Sequence, residues 1–456
     1  MNLEFDVKNG NSIILVVQKQ ANDENKYNLI DSDKAVWMEL RFTGKNLDII
    51  SQSTDIIDDA ETIDSKLDLL LHSIIEAERS GTDEYSEAGD STELNPYDPD
   101  KIKVRSDKIS VTLISNMIES GDIDMNPDFQ RNLVWNNFQK SRLIESILLR
   151  IPLPMFYFAE DDEGKLSVVD GLQRLTAIKE FMDNKFSLRD LQYLTDSCYG
   201  KYYEHEGIKK GLDPKYFRWF NLTTISANII DPTSPYKVKY DIFRRINTGG
   251  RPLNNQEIRN CLTGQGLRDI LKEMTALPEF KSATDNSIKS TRMDDQEIAL
   301  RFLVFFIMYE KNRNINSYNG YMDATLDEFT ELNIKTKKED LEHYVVLFSN
   351  AMKNAEYLFG KRHAFRKILP KDISPNAHKQ LINKSLFVCT SVLLAEFGHE
   401  TIVDFNERDS LRSEIAMMIE EDDELFAYLS YGTNAKANLL YTFKSLKELF
   451  NKNIDY

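Results

Sequence analysis

The sequence predicts an α+β protein in which a small β-rich module is followed by a mixed α/β domain and then by an all-helical domain. Three observations support this order. Short apolar runs alternate with turn residues in residues 1–57, and two strand-like runs lead into a helix near residue 170. From about Pro235 onward, apolar residues recur almost only at helical spacing.

The borders between these parts follow changes in composition. Residues 82–100 contain seven acidic side chains and no basic one, together with Ser, Gly and Pro, which is typical of a linker. We therefore predict a β-rich module with one helix at 1–81, an acidic linker at 82–100, an α/β domain at 101–235 and a helical domain at 236–456.

The first module has three runs with strand character, SIILVVQ, AVWMELRF and LDIIS, separated by turn residues. A helix is predicted in the following segment, TIDSKLDLLLHSIIEAERS, because its apolar residues fall three and four positions apart. The predicted apolar face consists of Leu67, Leu70, Leu71, Ile74 and Ile75.

The second domain is predicted to mix helices and strands. The segment ISVTLISNMIESGDI is typical of a helix that ends at Gly121, and a second helix runs from about Asn137 until Pro152 stops it. The segment MFYFAEDDEGKLSVVD predicts two strands joined by an acidic turn, and the second strand ends at Asp170. The helix behind it has an apolar face of Leu175, Ile178 and Phe181.

Helical periodicity dominates the rest of the chain, with no repeat of fixed period. The helical segments are YKVKYDIFRRIN, NNQEIRNCL, LRDILKEMTAL, QEIALRFLVFFIMYE, LEHYVVLFSNAMKNAEYLF, KSLFVCTSVLLAEFG and ANLLYTFKSLKELFNKN.

Composition is typical of a soluble globular protein, with 41% hydrophobic and 29% charged residues among 456. The longest apolar runs are shorter than the ~20 residues that a membrane span needs, and the N-terminus lacks a signal-peptide pattern. We therefore expect a cytoplasmic protein with no membrane partner. The three cysteines, Cys198, Cys261 and Cys389, are too sparse for a disulfide framework or a zinc site, and buried thiols are expected.

The net charge of −17 opposes nonspecific binding of nucleic acid by the chain as a whole, because phosphate is repelled. A local basic surface on one part of the chain remains an alternative. The run KRHAFRK at 361–367 is either such a surface or a solvated helix end.

The stretch VVDGLQRLTAI, residues 168–178, places polar side chains where a strand becomes a helix. Amide groups at a helix N-terminus attract anions, and Gly171 lets a phosphate approach the backbone. Arg174 can pair with phosphate oxygens, and Gln173 can hydrogen-bond a nucleotide or orient water. Asp170 beside an anion makes sense if it holds Mg²⁺ or positions water. The alternative, also open, is a plain junction with an Asp cap and a surface Arg–Glu pair.

Two further polar clusters occur nearby in the sequence. The segment NPDFQRNLVW places Gln130 and Arg131 before a helix. The segment FRRINTGGRPLNNQEIRN carries Asn247, Gly249 and Gly250, and its paired glycines can form a backbone nest for an anion. A glycine-terminated helix with solvated arginines is the alternative for this second cluster.

Four segments, PDFQRNLVW, QKSRLIESILLRIPLPMFYF, VVDGLQRLTAI and FRRINTGGRPLNNQEIRN, together resemble the successive motifs of the domain of unknown function 262 family. This family supplies the N-terminal domain of GmrSD-type restriction enzymes and is related in fold to ParB and sulfiredoxin. The resemblance runs from about Tyr97 to Asn260. It implies a ParB/sulfiredoxin-like domain that binds and hydrolyses a nucleoside triphosphate with Mg²⁺ in a bacterial anti-phage or restriction-modification system.

The resemblance also implies roles for individual residues. Its Asp-Gly-x-Gln-Arg signature makes Asp170, Gln173 and Arg174 catalytic and Asp170 the metal ligand, and the family often has Gln where Leu172 stands. The implied nucleotide-binding residues are Gln130, Arg131, Gly171, Asn247, Gly249 and Gly250.

The chain departs from many such proteins in its C-terminal half, where none of the six histidines lies in a His-Asn-His nuclease signature. Asp128 and Glu163 imitate a second nuclease pattern, but Glu163 falls in a predicted turn. A nucleotide-dependent DNA-binding switch without turnover and a nuclease subunit remain alternatives. DNA, a nuclease or other defence subunit and a second copy of the chain, in a homo-oligomer, remain open as partners.

Overall fold

The computed structural model describes residues 2–8, 12–20, 25–31, 35–43, 46–80, 103–125, 135–246, 253–404, 408–430 and 432–454. Within them the chain forms two five-stranded sheets and many helices, so the predicted α+β class is confirmed. The chain divides into two compact units, one made of Met1–Leu94 with Thr263–Tyr456 and the other of Asn95–Leu262.

An antiparallel meander forms the N-terminal part of the first unit. Its strands, in chain and sheet order, are β1 (Asn2–Asp6), β2 (Ser12–Lys19), β3 (Lys26–Ile30), β4 (Val36–Phe42) and β5 (Leu47–Gln52), and helix α1 (Ala60–Ser80) follows them. The predicted strands and helix are thereby confirmed. Alternating side chains of the sheet and one face of α1 share a core that includes Phe5, Leu15, Leu29, Met38, Leu67, Leu70 and Ile74. Of the predicted face, Leu71 is half-buried and Ile75 is exposed.

The second unit is built on a mixed sheet. In chain order its elements are β6 (Val104–Ser110), α2 (Val111–Ser120), β7 (Ile123–Asp124), α3 (Asn137–Leu148), β8 (Phe156–Glu160), β9 (Leu166–Asp170), α4 (Leu172–Met182), α5 (Thr195–Cys198), α6 (Pro214–Asn221), β10 (Thr224–Ile230), α7 (Tyr236–Ile246) and α8 (Asn255–Leu262). The sheet order is β6-β10-β8-β9-β7. Strand β10 pairs antiparallel with β6 and parallel with β8, whereas β9 pairs antiparallel with β8 and parallel with β7.

Two helices of this unit differ from their predicted bounds. Helix α2 ends at Gly121 as predicted but begins only at Val111, because the preceding residues belong to β6 and Ser110 caps the helix. The Ser110 side chain accepts a hydrogen bond from the backbone N–H of Leu113 at 3.2 Å. Helix α3 ends at Leu148, before it reaches the proline that was predicted to stop it.

An ion pair connects two strands that are not neighbours in the sheet. Arg105 on β6 donates from both terminal nitrogens to the two carboxylate oxygens of Glu160 on β8, one of them at 2.9 Å. Strand β10 lies between β6 and β8. The hydrogen bond and charge of Arg105 lower the pKa of Glu160, so the pair stays ionised at neutral pH.

A buried carboxylate fixes the connection between α4 and α5. Glu145 of α3 is 3% exposed and accepts hydrogen bonds from the backbone N–H groups of Gln192, Tyr193 and Leu194 at 2.7–3.0 Å. Burial alone tends to raise the pKa of Glu145, but these donors and the charge of Arg142 outweigh it and lower the pKa. The carboxylate is therefore a structural anion that the backbone amides of this connection bind.

The rest of the first unit is helical, as the periodicity predicts. Its helices are α9 (Gln265–Ala276), α10 (Pro278–Ala283), α11 (Asp294–Asn312), α12 (Met322–Leu332), α13 (Glu342–Phe359), α14 (Lys384–Leu394), α15 (His399–Asp404), α16 (Arg408–Glu421), α17 (Asp423–Tyr428) and α18 (Lys436–Asn453). Buried phenylalanines of α11, α13 and α14 pack together at their centre. No helix in the described part of the chain is long and apolar enough to cross a membrane.

The basic run at 361–367 is only partly solvated: Lys361 is exposed and pairs with Glu356 at the end of α13, whereas the other cations make hydrogen bonds within the unit. Arg366 is 2% exposed and donates to four backbone carbonyls and to the hydroxyl of Ser287. Arg362 donates to the carbonyl of Ala377 at 2.6 Å, and Lys367 donates to Ser430 at 2.7 Å. The positive charges of Arg362, Arg366 and Lys367 therefore serve contacts within the helical part of the unit.

Glu145→Gln should lower the free energy of unfolding by on the order of 2–4 kcal/mol at pH 7, because three backbone donors lose a charged acceptor. The folded-state pKa of Glu145 is depressed, so this stabilisation is present above its ordinary pKa and is lost as the pH falls through the folded value. Thermal unfolding at pH 7 and near pH 3 measures the difference between variant and wild type, which should shrink in acid.

The matched control is Glu180→Gln, which removes a carboxylate that pairs with Lys140 at a partly exposed position. It should change the melting temperature much less. Equal losses in the two variants, or a Glu145→Gln effect that does not depend on pH, would contradict the structural role of this carboxylate.

Candidate functional site

The predicted strand–helix junction is present. Strand β9 ends at Asp170, Gly171 is the N-cap residue, and α4 begins at Leu172. Gly171 has a φ of +105°, and a Cβ atom there would lie 2.4 Å from a ring carbon of Phe156. Both the backbone conformation and the space therefore require glycine.

The N-terminus of α4 has no side-chain cap within the described residues, and its first turn contains no acidic residue. The first backbone N–H groups of an α-helix have no partner within the helix, and together with the macrodipole they favour a negative group. The alternative of an Asp cap is wrong, because the N-cap residue is Gly171 and the carboxylate of Asp170 bonds to Arg174 instead.

Arg174 clamps the junction to the segment that precedes β8. Its Nη2 donates to Oδ2 of Asp170 at 2.8 Å and to the carbonyl of Met155 at 3.2 Å. Its Nη1 donates to the carbonyl of Pro154, and its Cζ lies 4.2 Å from the centroid of the Phe156 ring. Burial lowers the pKa of Arg174, and the charge of Asp170 partly offsets this. The alternative of a surface Arg–Glu pair is therefore wrong.

Asp170 has one carboxylate oxygen to offer a ligand. Its side chain is 36% exposed, and Oδ1 has no hydrogen-bond partner within the described residues. In nucleotide sites, Mg²⁺ usually takes one or two carboxylates and completes its shell with phosphate and water. A single carboxylate beside Arg174 fits a metal ion that arrives with phosphate better than a dedicated metal cage. The described part of the chain contains no group of three or more potential metal ligands.

Gln173 connects the junction to the first polar cluster. Its Oε1 accepts a hydrogen bond from the backbone N–H of Trp135 at 3.2 Å. Trp135 is the last residue of the NPDFQRNLVW segment, so the structure brings the end of this segment to the start of α4. The predicted contribution of Gln173 to nucleotide binding stays a prediction.

The other predicted nucleotide-binding residues, Gln130, Arg131, Asn247, Gly249 and Gly250, lie outside the described residues. The described residues that follow them in sequence contact the junction or strand β9. Trp135 bonds to Gln173, and α8, which follows the glycine pair, packs against β9. Described residues of the first motif therefore contact the junction, and the helix that follows the glycine pair contacts β9.

Helix α8 is unusually polar for a buried helix. Asn254 and Glu257 form a reciprocal cap, with the N–H of Glu257 donating to Asn254 Oδ1 at 2.8 Å and the N–H of Asn254 donating to Glu257 Oε2 at 2.7 Å. Its buried polar side chains are Gln256, Glu257, Arg259 and Asn260.

Asn260 is a candidate that sequence reasoning missed. It is 1% exposed, and neither atom of its amide has a hydrogen-bond partner within the described residues. Burial of an amide without a partner is unfavourable by about 1–3 kcal/mol, so a polar ligand that hydrogen-bonds to the Asn260 side chain would remove this cost. The only signal in the sequence was the polar run NNQEIRN, which a surface helix would also show.

Several features outside the junction are structural. Cys198, Cys261 and Cys389 are buried free thiols, as predicted. The backbone N–H groups of Glu163 and Lys165 donate to Asp161 Oδ1 at 2.9 and 2.8 Å, which places Glu163 in the turn between β8 and β9, as predicted. This carboxylate therefore serves a hairpin and gives no support to a nuclease site.

Gly171→Ala should lower the free energy of unfolding by on the order of 2–5 kcal/mol, because the new Cβ meets both a left-handed backbone and the Phe156 ring. Gly164→Ala is the matched control. Gly164 has a φ of +84° but nothing within 4 Å of its Cβ position, so only the backbone term remains, about 1–2 kcal/mol. Chemical denaturation measures both variants, and equal losses would show that Phe156 does not confine this glycine.

Comparison with known proteins supports the resemblance. No curated protein and no solved structure matches the chain. Residues 113–263 match the family model described as the GmrSD restriction endonuclease, N-terminal domain, which confirms the family resemblance that the four motifs predicted.

Proposed function

We propose that the unit Asn95–Leu262 binds a nucleoside triphosphate at the junction of β9 and α4 and hydrolyses it with Mg²⁺. The observation that carries this proposal is the uncapped N-terminus of α4, which begins at a glycine with no room for a side chain. The amide groups at this helix end favour an anion. Asp170 precedes the helix by two residues, and Arg174 is the third residue of the helix. The match to the GmrSD restriction endonuclease, N-terminal domain, supports a role in a restriction or defence system.

Asp170 would hold Mg²⁺ or a water molecule through Oδ1. The other oxygen is bound to Arg174, which fixes the direction of the carboxylate. When bound, Mg²⁺ would neutralise charge on the phosphate oxygens during transfer to water.

Arg174 would contact the triphosphate through those guanidinium N–H groups that are not used in the hydrogen bonds described above. Three of its five N–H groups are used by Asp170 and by the carbonyls of Pro154 and Met155. The remaining two and the positive charge are available to phosphate oxygens, on which charge develops in the transition state. The site would be completed by Gln173, Gln130, Arg131, Asn247, Gly249 and Gly250, as the resemblance implies.

The remaining expectations belong to the same proposal. The unit would have a ParB/sulfiredoxin-like fold, and the protein would work in the cytoplasm in bacterial anti-phage defence. A nuclease or other defence subunit, or a second copy of the chain, would be its protein partner. A nucleotide-dependent switch without turnover is the second candidate, because the same ligand groups serve binding and hydrolysis.

Phosphate release from ATP, GTP, CTP and UTP with Mg²⁺ tests the proposal on the full chain. We expect Asp170→Ala to abolish release and Arg174→Ala to lower it by about 10²–10³-fold, by analogy with the loss of a preorganised donor. Asp183→Ala is the matched control, because Asp183 also belongs to an i,i+4 ion pair on α4, with Lys179, but at the other end of the helix. It should release phosphate at the wild-type rate.

Each remaining outcome selects an alternative. No release from any of the four nucleotides, but binding that Asp170→Ala weakens, would favour the switch. Normal release by a folded Arg174→Ala protein would remove Arg174 from the site. A wild type that neither releases phosphate nor binds nucleotide would refute a nucleotide site at this junction. Melting temperatures of the variants separate a local defect from unfolding.

A further inference from the structure

A row of polar side chains crosses the sheet of the second unit and begins at Asp170. Asp170 of β9 is the register partner of Tyr157 of β8, and Tyr157 is also the partner of Asn228 of β10. Asn228 is in turn the partner of Ser106 of β6. Side chains of register partners point to the same face of a sheet. Because neighbouring strands lie about 4.8 Å apart, this polar row extends about 14 Å from Asp170 across the sheet.

The polar row lies on the face of the sheet that is turned away from the core. The residues that alternate with it along β8 and β10 face the core and are at most 2% exposed, namely Phe156, Phe158, Ala227 and Ile229. In the row itself, Tyr157 and Asn228 are half-buried and Ser106 is exposed. A small molecule can therefore reach the row without displacing the core.

The same face is covered farther along the strands. Ala159 and Ile230 are register partners two residues beyond Tyr157 and Asn228, and they are 7% and 0% exposed. The polar row thus lies where this face changes from covered to open. Small-molecule sites are concave, so this border suits a ligand better than a flat, fully open sheet would.

The hydrogen bonds of the polar row leave particular atoms available to a ligand. The hydroxyl of Ser106 donates to Oδ1 of Asn228 at 2.6 Å, so the amide oxygen points toward Ser106. The N–H groups of Asn228 Nδ2 have no acceptor within the described residues. Tyr157 makes no hydrogen bond and no ring contact within the same residues. The row therefore presents a carboxylate oxygen, an aromatic ring and an amide donor, in this order.

We propose that Tyr157 and Asn228 bind the nucleoside part of the triphosphate, with the base on the Tyr157 ring and one acceptor atom of the nucleoside on Asn228 Nδ2. This inference rests on the proposed function, because the phosphates must lie at the start of α4 for the base to reach the polar row. The Tyr157 ring offers little to a phosphate group, whereas bases stack on aromatic side chains. The row therefore suits a nucleotide better than an inorganic polyphosphate.

The position of Asp170 connects the polar row to the start of α4. Its Oδ2 is bound to Arg174, which belongs to the first turn of α4. Its register partner Tyr157 is the next side chain of the row. A ligand that contacts both α4 and Asp170 therefore meets Tyr157 before any other side chain of the row, and Asn228 follows one strand farther away.

Calorimetric titration of the full chain with Mg²⁺ tests the proposal. The probes are the β,γ-imido analogues of ATP, GTP, CTP and UTP, which resist hydrolysis, and inorganic tripolyphosphate, which lacks the nucleoside. We expect Tyr157→Ala to lower the affinity for the best-bound analogue, relative to the affinity for tripolyphosphate, by about tenfold or more, and Tyr157→Phe to keep most of it. Asn228→Ala should lower the same ratio by about 2–10-fold. The matched control, Tyr199→Ala, removes another exposed tyrosine of this unit and should bind as the wild type does.

Three outcomes overturn the inference. Binding of the analogue by Tyr157→Ala and Asn228→Ala as tight as by Tyr199→Ala would remove the nucleoside from the polar row and leave the nucleotide site at the junction standing. An equal loss of affinity for the analogue and for tripolyphosphate would show that Tyr157 supports the phosphate site and does not contact the nucleoside. A wild type that binds none of the analogues would refute the proposed function together with this inference. Melting temperatures identify a variant that does not fold, and Tyr157→Phe then replaces Tyr157→Ala as the test of the hydroxyl.

Discussion

The candidate site depends on one buried guanidinium. Arg174 lies on the first turn of α4, yet its hydrogen bonds reach the end of β9 and the segment before β8. Strands β8 and β9 are antiparallel neighbours, so the same side chain fixes the start of one strand and the end of the other. Removing this cation would leave two carbonyls and a carboxylate without their donor. The position of the Asp170 carboxylate therefore depends on its hydrogen bond to Arg174 as much as on strand β9.

Local charge decides what this unit can bind. The chain is strongly acidic overall, but charges in solution are screened beyond about 8 Å at physiological salt. At the junction, the open amides of α4 and the guanidinium of Arg174 lie within one helical turn. The junction offers positive charge in spite of the net charge, and composition alone could not show this.

Sequence reasoning found the elements that depend on local spacing. The helices of the C-terminal half, the turn at Glu163 and the junction at Asp170 follow from periodicity and turn chemistry, which act over a few residues. The start of α2 was predicted too early because Ile109 belongs to a strand. That strand, β6, pairs with β10, more than a hundred residues later, so no local pattern marks either of them.

The details of the site depended on contacts that the sequence does not encode locally. The signature identified Arg174, but its partners at 154 and 155 are backbone carbonyls some twenty residues earlier. The burial of Arg366 within the basic run at 361–367 was missed for the same reason, because the carbonyl of Thr284, far away in sequence, accepts from Arg366. Asn260 escaped notice because burial, not composition, distinguishes it from an ordinary surface residue.

The clamp has a consequence for how this protein can diverge. Arg174 recognises the carbonyl oxygens of Pro154 and Met155, and every amino acid supplies a carbonyl. The side chains at these two positions are thus free to change during evolution while the geometry of the junction is kept. The geometry of the junction thus depends on the side chains of Arg174 and Asp170 and on the missing side chain of Gly171, and not on the side chains of the exposed segment that Arg174 binds.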